Sequence, residues 1–295
     1  MRTRLIPPAK PYFLKEDIEE ICDHVKKILT SGMLTLHTYT KEFEKEYAKL
    51  CNVKHAVAVS SGTAALEIAL RCMKLKSDDE VLVPTNTFSA TLAAVIFAGG
   101  KPVLTDINPE TLCIGVKDVQ EKLTDKTKGV IVVHVGGLIC PEIKAIRELC
   151  KDHGLFLIED AAHAHGSKID GEPAGSLGDV GCFSFYPTKV MTTEEGGMIT
   201  TNSDEVAEKA IILRDQGKES FTSNMIVELG YNWRMGEISA AIGLVQLKRL
   251  NEVIERRNMI ARIYDQGFKR ISGVKPLNIP QNILSNYYKY CCHSG

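Results

Sequence analysis

Residues 56–73 read AVAVSSGTAALEIALRCM. Ala56–Val59 is a short apolar run of strand type, Ser61-Gly62-Thr63 is a turn, and from Ala64 the apolar positions adopt helical spacing. A strand feeding a helix through so short a turn opens a βαβ unit, and the pattern repeats downstream. Residues 80–100, EVLVPTNTFSATLAAVIFAGG, give a strand at Val81–Val83, a turn, a helix from about Phe88 to Ala98 and a Gly-Gly stop. KPVLTDI (101–107), GVIVVHV (129–135) and GLFLIED (154–160) are further strands, with a helix over Pro141–His153 between the last two. GCFSF (181–185) and GMITT (197–201) add two more. Continuous apolar strands alternating with helices need cover on both faces. The expected fold is therefore α/β, a three-layer α/β/α arrangement around a mostly parallel sheet.

Amphipathic helices are expected at Asp17–Leu29 and Tyr39–Leu50. A long helical pattern runs from Met235 to Phe268, with Ile238, Ala241, Ile242, Val245, Leu250 and Ile254 on its apolar side. The chain divides into an N-terminal helical segment (1–30), a large domain (31–250), and a connecting helix with the start of a smaller domain (251–295).

The 36 basic and 37 acidic residues nearly cancel across 295 residues, and no long basic run suggests nucleic acid or an anionic membrane as partner. No apolar run is long enough to span a bilayer, and MRTRLIPPAKPYF lacks the apolar centre of a signal peptide. The nine cysteines include no C-x-x-C pair, so most of them read as small core residues in a reducing, cytoplasmic compartment. Cys182, between Gly181 and Phe183, reads the same way.

In open parallel sheets, ligands bind beyond the carboxyl ends of the strands. Ser61, Gly62 and Thr63 follow the first strand there, and Thr85, Asn86, Thr87 and Phe88 follow the second. His134 follows VIVV, Asp160 and His163 follow LFLIE, and Pro187, Thr188 and Lys189 follow FSF. Ser-Gly-Thr before a helix is either a plain N-cap or an anion site built from backbone N–H groups. Neither dinucleotide nor P-loop fingerprint is present. Asp160 is either a helix cap or the partner of a cation at the rim. Pyridoxal phosphate needs such a carboxylate to keep its pyridine nitrogen protonated. His163 could lie against the same ring, while Glu159 and His165 read as structural. A Schiff-base lysine must be partly desolvated, with a free amine. Lys189, after an apolar strand and Pro187, is the candidate, against the default of a solvated surface lysine. Glu194-Glu195-Gly196-Gly197 reads as a turn whose glycines permit close backbone approach.

Together with these residues, SSGTAALEIAL (60–70), EVLVPTNTFSATLAAVIFAGGKPVLTDINPET (80–111), IEDAAHAHGS (158–167), GSLGDVGCFSFYPTKVMTTEEGGMITTN (175–202) and LGYNWRMGEISAAIGLVQL (229–247) carry a resemblance. The chain is similar to the DegT/DnrJ/EryC1/StrS family of sugar aminotransferases, of the type I fold of pyridoxal phosphate (PLP) enzymes, from about Ser31 to Leu250. The resemblance implies that Lys189 binds PLP covalently and moves protons, that Asp160 pairs with the pyridine nitrogen, and that His163 lies near the 3-oxygen. It implies Phe88 on one ring face, Ala162 on the other, and Gly62, Thr63 and Ser184 around the phosphate. Asn232 would reach the phosphate of a neighbouring subunit in a homodimer. The implied reaction moves an amino group, commonly from glutamate, onto a keto group of a nucleotide-linked sugar in polysaccharide or secondary-metabolite synthesis.

Some relatives carry histidine at the lysine position and act as dehydratases; Lys189 favours transamination here. His37 and Glu194 depart from the small residues common in the family. NYYKY (286–290) resembles the opening of the family's small C-terminal domain, and the expectation is that CCHSG (291–295) leaves that domain incomplete. The alternatives are thus a truncated, non-catalytic PLP-binding protein and a related PLP-dependent sugar dehydratase.

Overall fold

The alternation of strand and helix is present in the computed structural model, which describes residues 9–294. Residues 1–8, with Pro7, Pro8 and the start of the segment drawn at 1–30, and Gly295 lie outside the described residues. Helices α1 (Lys15–Ser31) and α2 (Thr38–Cys51) come first. Then follow β1 (His55–Val59), α3 (Gly62–Cys72), β2 (Glu80–Pro84), α4 (Ser89–Phe97) and β3 (Lys101–Thr105). The middle of the chain gives α5 (Val116–Lys122), β4 (Thr127–Val133), α6 (Ile143–Asp152) and β5 (Phe156–Asp160). A small hairpin, β6 (Lys168–Ile169) and β7 (Glu172–Pro173), precedes β8 (Val180–Ser184), β9 (Gly197–Thr201) and α7 (Asp204–Arg214). The long α8 (Glu237–Phe268) leads to β10 (Val274–Pro276), β11 (Ile283–Leu284) and β12 (Cys292–Ser294).

Seven strands form one sheet in the order β1-β9-β8-β5-β4-β2-β3. Strand β9 runs antiparallel to both neighbours, while β8, β5, β4, β2 and β3 pair in parallel. The mostly parallel sheet is thus as expected. Every residue of β2 and β9 is buried, as strands covered on both faces must be. On one face α2, α5, α6 and α8 enclose a core that includes Phe43, Tyr47, Phe183 and Phe185. The Tyr47 ring meets Phe183 and Phe185 edge-on, with centroids 5.1 and 5.4 Å apart. The other face is covered by α3, α4 and α7, whose smaller side chains (Ala65, Ala69, Ala94, Ala210) share one buried cluster with Val57, Val81 and Ile199 of the sheet.

Element boundaries shift by a few residues from the sequence reading. Helix α3 starts at Gly62 rather than Ala64, because the Ser61 hydroxyl oxygen accepts the Ala64 N–H at 3.0 Å and sets Ser61 as the cap. Phe88 is the residue before α4 rather than its first turn. Helix α8 runs unbroken through position 250, where the large domain was drawn to end.

The departure at His37 is resolved by Glu237. This buried carboxylate, in the first turn of α8, accepts the backbone N–H groups of His37, Tyr39 and Thr40 at 2.8, 2.7 and 2.9 Å. These are the otherwise partnerless donors at the start of α2, where the His37 side chain makes no cap. One carboxylate therefore ties two helices distant in sequence. Replacing Glu237 by Gln should cost about 3 kcal/mol, because the amide group turns a donor toward donors. Thermal or urea unfolding of the variant checks this.

Candidate active site

Strand β5 ends in Glu159 and Asp160, whose side chains alternate between the two faces of the sheet. Glu159 is fully buried and accepts the N–H groups of Gly175, Leu177 and Gly178 at 2.8, 2.7 and 2.8 Å. His134 Nε2 donates to it at 2.9 Å, and His134 Nδ1 accepts the Cys140 N–H at 3.2 Å. His134, at the expected rim, is thus spent on holding Glu159. Its neighbour Asp160 is 6% exposed and, among the described residues, receives only the Ala162 N–H at 3.2 Å and the Thr91 hydroxyl at 2.7 Å. Burial raises the Asp160 carboxyl above its ordinary value, against those two donors and the charge of Lys189.

Lys189 lies in the loop after β8, where its N–H donates to the Tyr186 carbonyl at 2.9 Å. Burial lowers its amine below the ordinary lysine value, while Tyr288 and Asp160 pull the other way. The amine stands 4.9 Å from the Tyr288 ring centre. Tyr288 in turn packs on His163, with centroids 4.4 Å apart, and its hydroxyl meets Thr188 Oγ1 at 3.0 Å. Burial first, then the positive charge of Lys189, lowers His163 to about 3. His163 Nδ1 accepts the Gly136 N–H at 3.3 Å, so the neutral ring carries its proton on Nε2.

The turn at Ser61 supplies an anion cradle. Gly62 and Thr63 occupy the first two positions of α3, where N–H groups have no partner within the helix. Ser184 closes the cradle: a Cβ on Gly62 would stand 2.6 Å from the Ser184 Cβ. The second glycine of the Glu-Glu-Gly-Gly turn approaches from behind, since a Cβ on Gly197 would lie 2.2 Å from the Ser61 carbonyl oxygen. The close approach expected of those glycines is therefore real. Glu194 takes a left-handed backbone, φ 76°, with its N–H on Thr192 Oγ1 at 3.0 Å.

The structure thus brings Gly62, Thr63, Ser184, Asp160, Ala162, His163 and Lys189 to one rim of the sheet. Phe88, 74% exposed at the entrance to α4, borders it on the Thr91 side. Asn232 is exposed and lies opposite Asp215 in an isolated antiparallel bridge, outside the cradle. Cys182 is buried and its thiol is raised well above the ordinary value, as its core reading requires. The sequence reading passed over Thr91 and Tyr288. A hydroxyl in the apolar helix SATLAAVIF, one turn after Thr87, was the available signal for the first; Tyr288 gave none, because its partners lie about a hundred residues away.

The donor set fits PLP: a desolvated amine, a buried carboxylate with spare acceptor capacity, and a backbone phosphate cradle. The fold is that of the type I PLP-dependent transferases. The model of the DegT/DnrJ/EryC1/StrS aminotransferase family matches residues 15–293, and the chain belongs to this family of sugar aminotransferases. It is 41% identical over 252 residues to the GDP-perosamine synthase of Vibrio cholerae, covering 85% of this chain and 67% of that protein. It is 39% identical over 283 residues to the spore coat polysaccharide biosynthesis protein SpsC of Bacillus subtilis, covering 92% and 72%. The crystal structure of the aminotransferase TlmJ from Streptoalloteichus hindustanus superposes with a TM-score of 0.92 at 33% identity, covering 99% of this chain and 79% of that one. The chain thus spans about two thirds to four fifths of these relatives.

Two predictions follow from the site's packing. Gly197→Ala should push the Ser61 turn outward and weaken phosphate-dependent cofactor binding more than it lowers stability, read by PLP titration beside a melting curve. The second concerns acid. His165, fully buried, is lowered to about 3 by burial, and its Nδ1 accepts the Tyr47 hydroxyl at 2.7 Å while Nε2 donates to the Ser184 carbonyl at 2.8 Å. With folded values below the unfolded 6.5, His163 and His165 contribute stability that is complete above that pH and lost as pH falls toward 3. Each should steepen the loss by up to about 1.4 kcal/mol per pH unit. Melting curves across the acid range should show this, with a slope shallower by about one proton in His163→Gln.

Proposed function

We propose that the rim holds PLP and uses it to transfer an amino group, with glutamate as donor, to a keto group of a nucleotide-linked sugar. The observation that carries this reading is the buried amine of Lys189, lowered by desolvation, within electrostatic reach of the buried Asp160. When bound, PLP supplies an electron sink that lets nitrogen pass from donor to acceptor. The chain's own residues do the rest. Asp160 would hold a proton on the ring nitrogen. The Gly62 and Thr63 N–H groups and Ser184 would fix the phosphate. Phe88 and Ala162 would confine the ring from its two faces, and His163, neutral with its proton on Nε2, would donate toward the ring's 3-oxygen. Lys189 would bind the cofactor covalently and carry the proton at the reacting carbon of the substrate, acting as base and then acid.

The substrate side is supported by charge. A cavity of about 550 Å³ opens beside Lys189, and Lys10, Arg256, Arg257 and Lys289 line it together with tyrosines 12 and 288. Cations and aromatic faces suit a sugar joined to a nucleoside diphosphate. A homodimer in which Asn232 reaches the partner's phosphate completes the proposal, and the exposed side chain of Asn232 accords with it.

Spectroscopy tests the reading directly. Purified protein with PLP should show the absorption of lysine-bound cofactor, lost in Lys189→Ala, and glutamate should convert that band to the amine form of the cofactor. A band that survives Lys189→Ala would sink the lysine assignment. A band that no amino donor alters would point to cofactor binding without transamination.

A further inference from the structure

The carboxylate expected to face the cofactor has one side-chain hydrogen-bond partner among the described residues, and that partner is itself held. Thr91 is fully buried in the first turn of α4, and its hydroxyl lies 2.7 Å from Asp160 Oδ2. Thr87 Oγ1 lies 2.6 Å from Thr91 Oγ1. An ionised carboxylate only accepts, so the single Thr91 hydrogen points at Asp160. The Thr87–Thr91 contact can then be made only by the Thr87 hydrogen. The direction of the chain is fixed by counting hydrogens: Thr87 to Thr91 to Asp160. Oδ1 is held separately by the Ala162 N–H at 3.2 Å. One donor on each oxygen sets the rotation of the carboxylate and leaves the remaining lone pairs for one further donor.

We propose that Thr91 is the positioning residue of Asp160, and that Thr87, in the turn that carries Phe88, sets Thr91, so that the turn expected to cover the cofactor ring also orients the acid expected to meet its nitrogen. The proposal rests on the PLP reading above and extends it to two residues to which that reading gives no role. Thr91 does two things in this place. It aims the carboxylate, and it stabilises the charged form in surroundings that disfavour charge. The other groups that face Asp160 are Lys189 and His134, which favour its ionisation, and the neutral Cys182 thiol opposite it on β8. Lys189 would be engaged by the cofactor and His134 is engaged by Glu159, so the Ala162 N–H and the hydroxyl relay are the supports that persist when the site is loaded, and the relay is the one made by side chains. Because Thr87 is only half-buried at the rim while Thr91 is sealed beneath it, a group binding at the turn can act on Asp160 through the relay.

Thr91→Val keeps the shape and removes the hydroxyl, and Thr91→Ser keeps the hydroxyl and removes a methyl. PLP is titrated into each variant, into Asp160→Asn and into Thr87→Val, from mildly acidic to mildly alkaline pH, with a melting curve for each. Thr91→Val should bind PLP roughly tenfold or more weakly, the worth of a hydrogen bond to a charged group. Its acid limb should move to higher pH, because Asp160 would then take up a proton earlier. Thr91→Ser should restore both the affinity and the limb. Thr87→Val should give a smaller loss, absent when added to Thr91→Val, since the two act in series. Thr91→Val with wild-type affinity and an unmoved acid limb, while Asp160→Asn binds poorly, overturns the relay and leaves the PLP reading standing. A lower melting temperature with an unmoved limb overturns it too, because packing alone would do that. Wild-type binding by Asp160→Asn overturns the assignment of Asp160, and the relay with it.

Discussion

Two adjacent carboxylates are buried at the end of β5, and the architecture around them is arranged to keep both there. Burying a charge costs several kcal/mol unless hydrogen bonds replace the lost water. Glu159 receives four such bonds, three from the backbone of residues 175–178 and one from His134. It thereby fixes the loop that leads into β8, and β8 in turn carries Ser184 and leads to Lys189. Asp160, one residue on and facing the opposite side, receives two. The same strand end thus provides a saturated carboxylate that holds the scaffold and an under-supplied one that can accept a ligand's proton. The alternation of a β-strand separates the two tasks.

Most of this was legible in the sequence as local pattern. Short apolar strands, each broken by a polar turn and followed by helical spacing, required a covered parallel sheet, and ligand sites in such a sheet belong at the strand ends. That reasoning placed Lys189, Asp160, His163 and the Ser61 turn on one rim before any contact was known. What it missed depends on long-range pairing. His134 stands at the rim in the sequence, yet it is bound to Glu159, a partner 25 residues away, whereas His165, structural in the sequence, is locked between Tyr47 and Ser184. Thr91 reads as a polar lapse in an apolar helix until Asp160, distant in the chain, is placed over it. The start of α3 moved for a smaller reason, a serine cap that only geometry distinguishes from a turn.

The Ser61 turn shows how the antiparallel strand β9 serves the site. It lies between β1 and β8 with its first residue, Gly197, paired to both Val59 and Ser184. At that junction the backbone of Gly197 comes so close to the Ser61 carbonyl that no side chain fits. The start of α3, the end of β8 and the loop bearing Lys189 are therefore held in one place by backbone packing, which is stiffer than side-chain contact. A cradle made of backbone N–H groups gains from such rigidity, since its donors cannot re-aim themselves after the anion arrives.

The balance on Lys189 follows from the same geometry. Asp160 alone would raise the amine and keep it charged, whereas burial lowers it and prevails. Were Asp160 fully exposed to the amine and otherwise free, the two would form an ordinary buried ion pair and the lysine would lose its nucleophilic form. Asp160 accepts the Thr91 hydroxyl on Oδ2 and the Ala162 N–H on Oδ1, and Tyr288, whose ring centre lies 4.9 Å from the amine, pulls it upward as Asp160 does, yet burial prevails. A lysine and an aspartate that share one rim therefore keep separate tasks because burial outweighs the acid's pull on the amine, while the acid's own hydrogen bonds hold it in place.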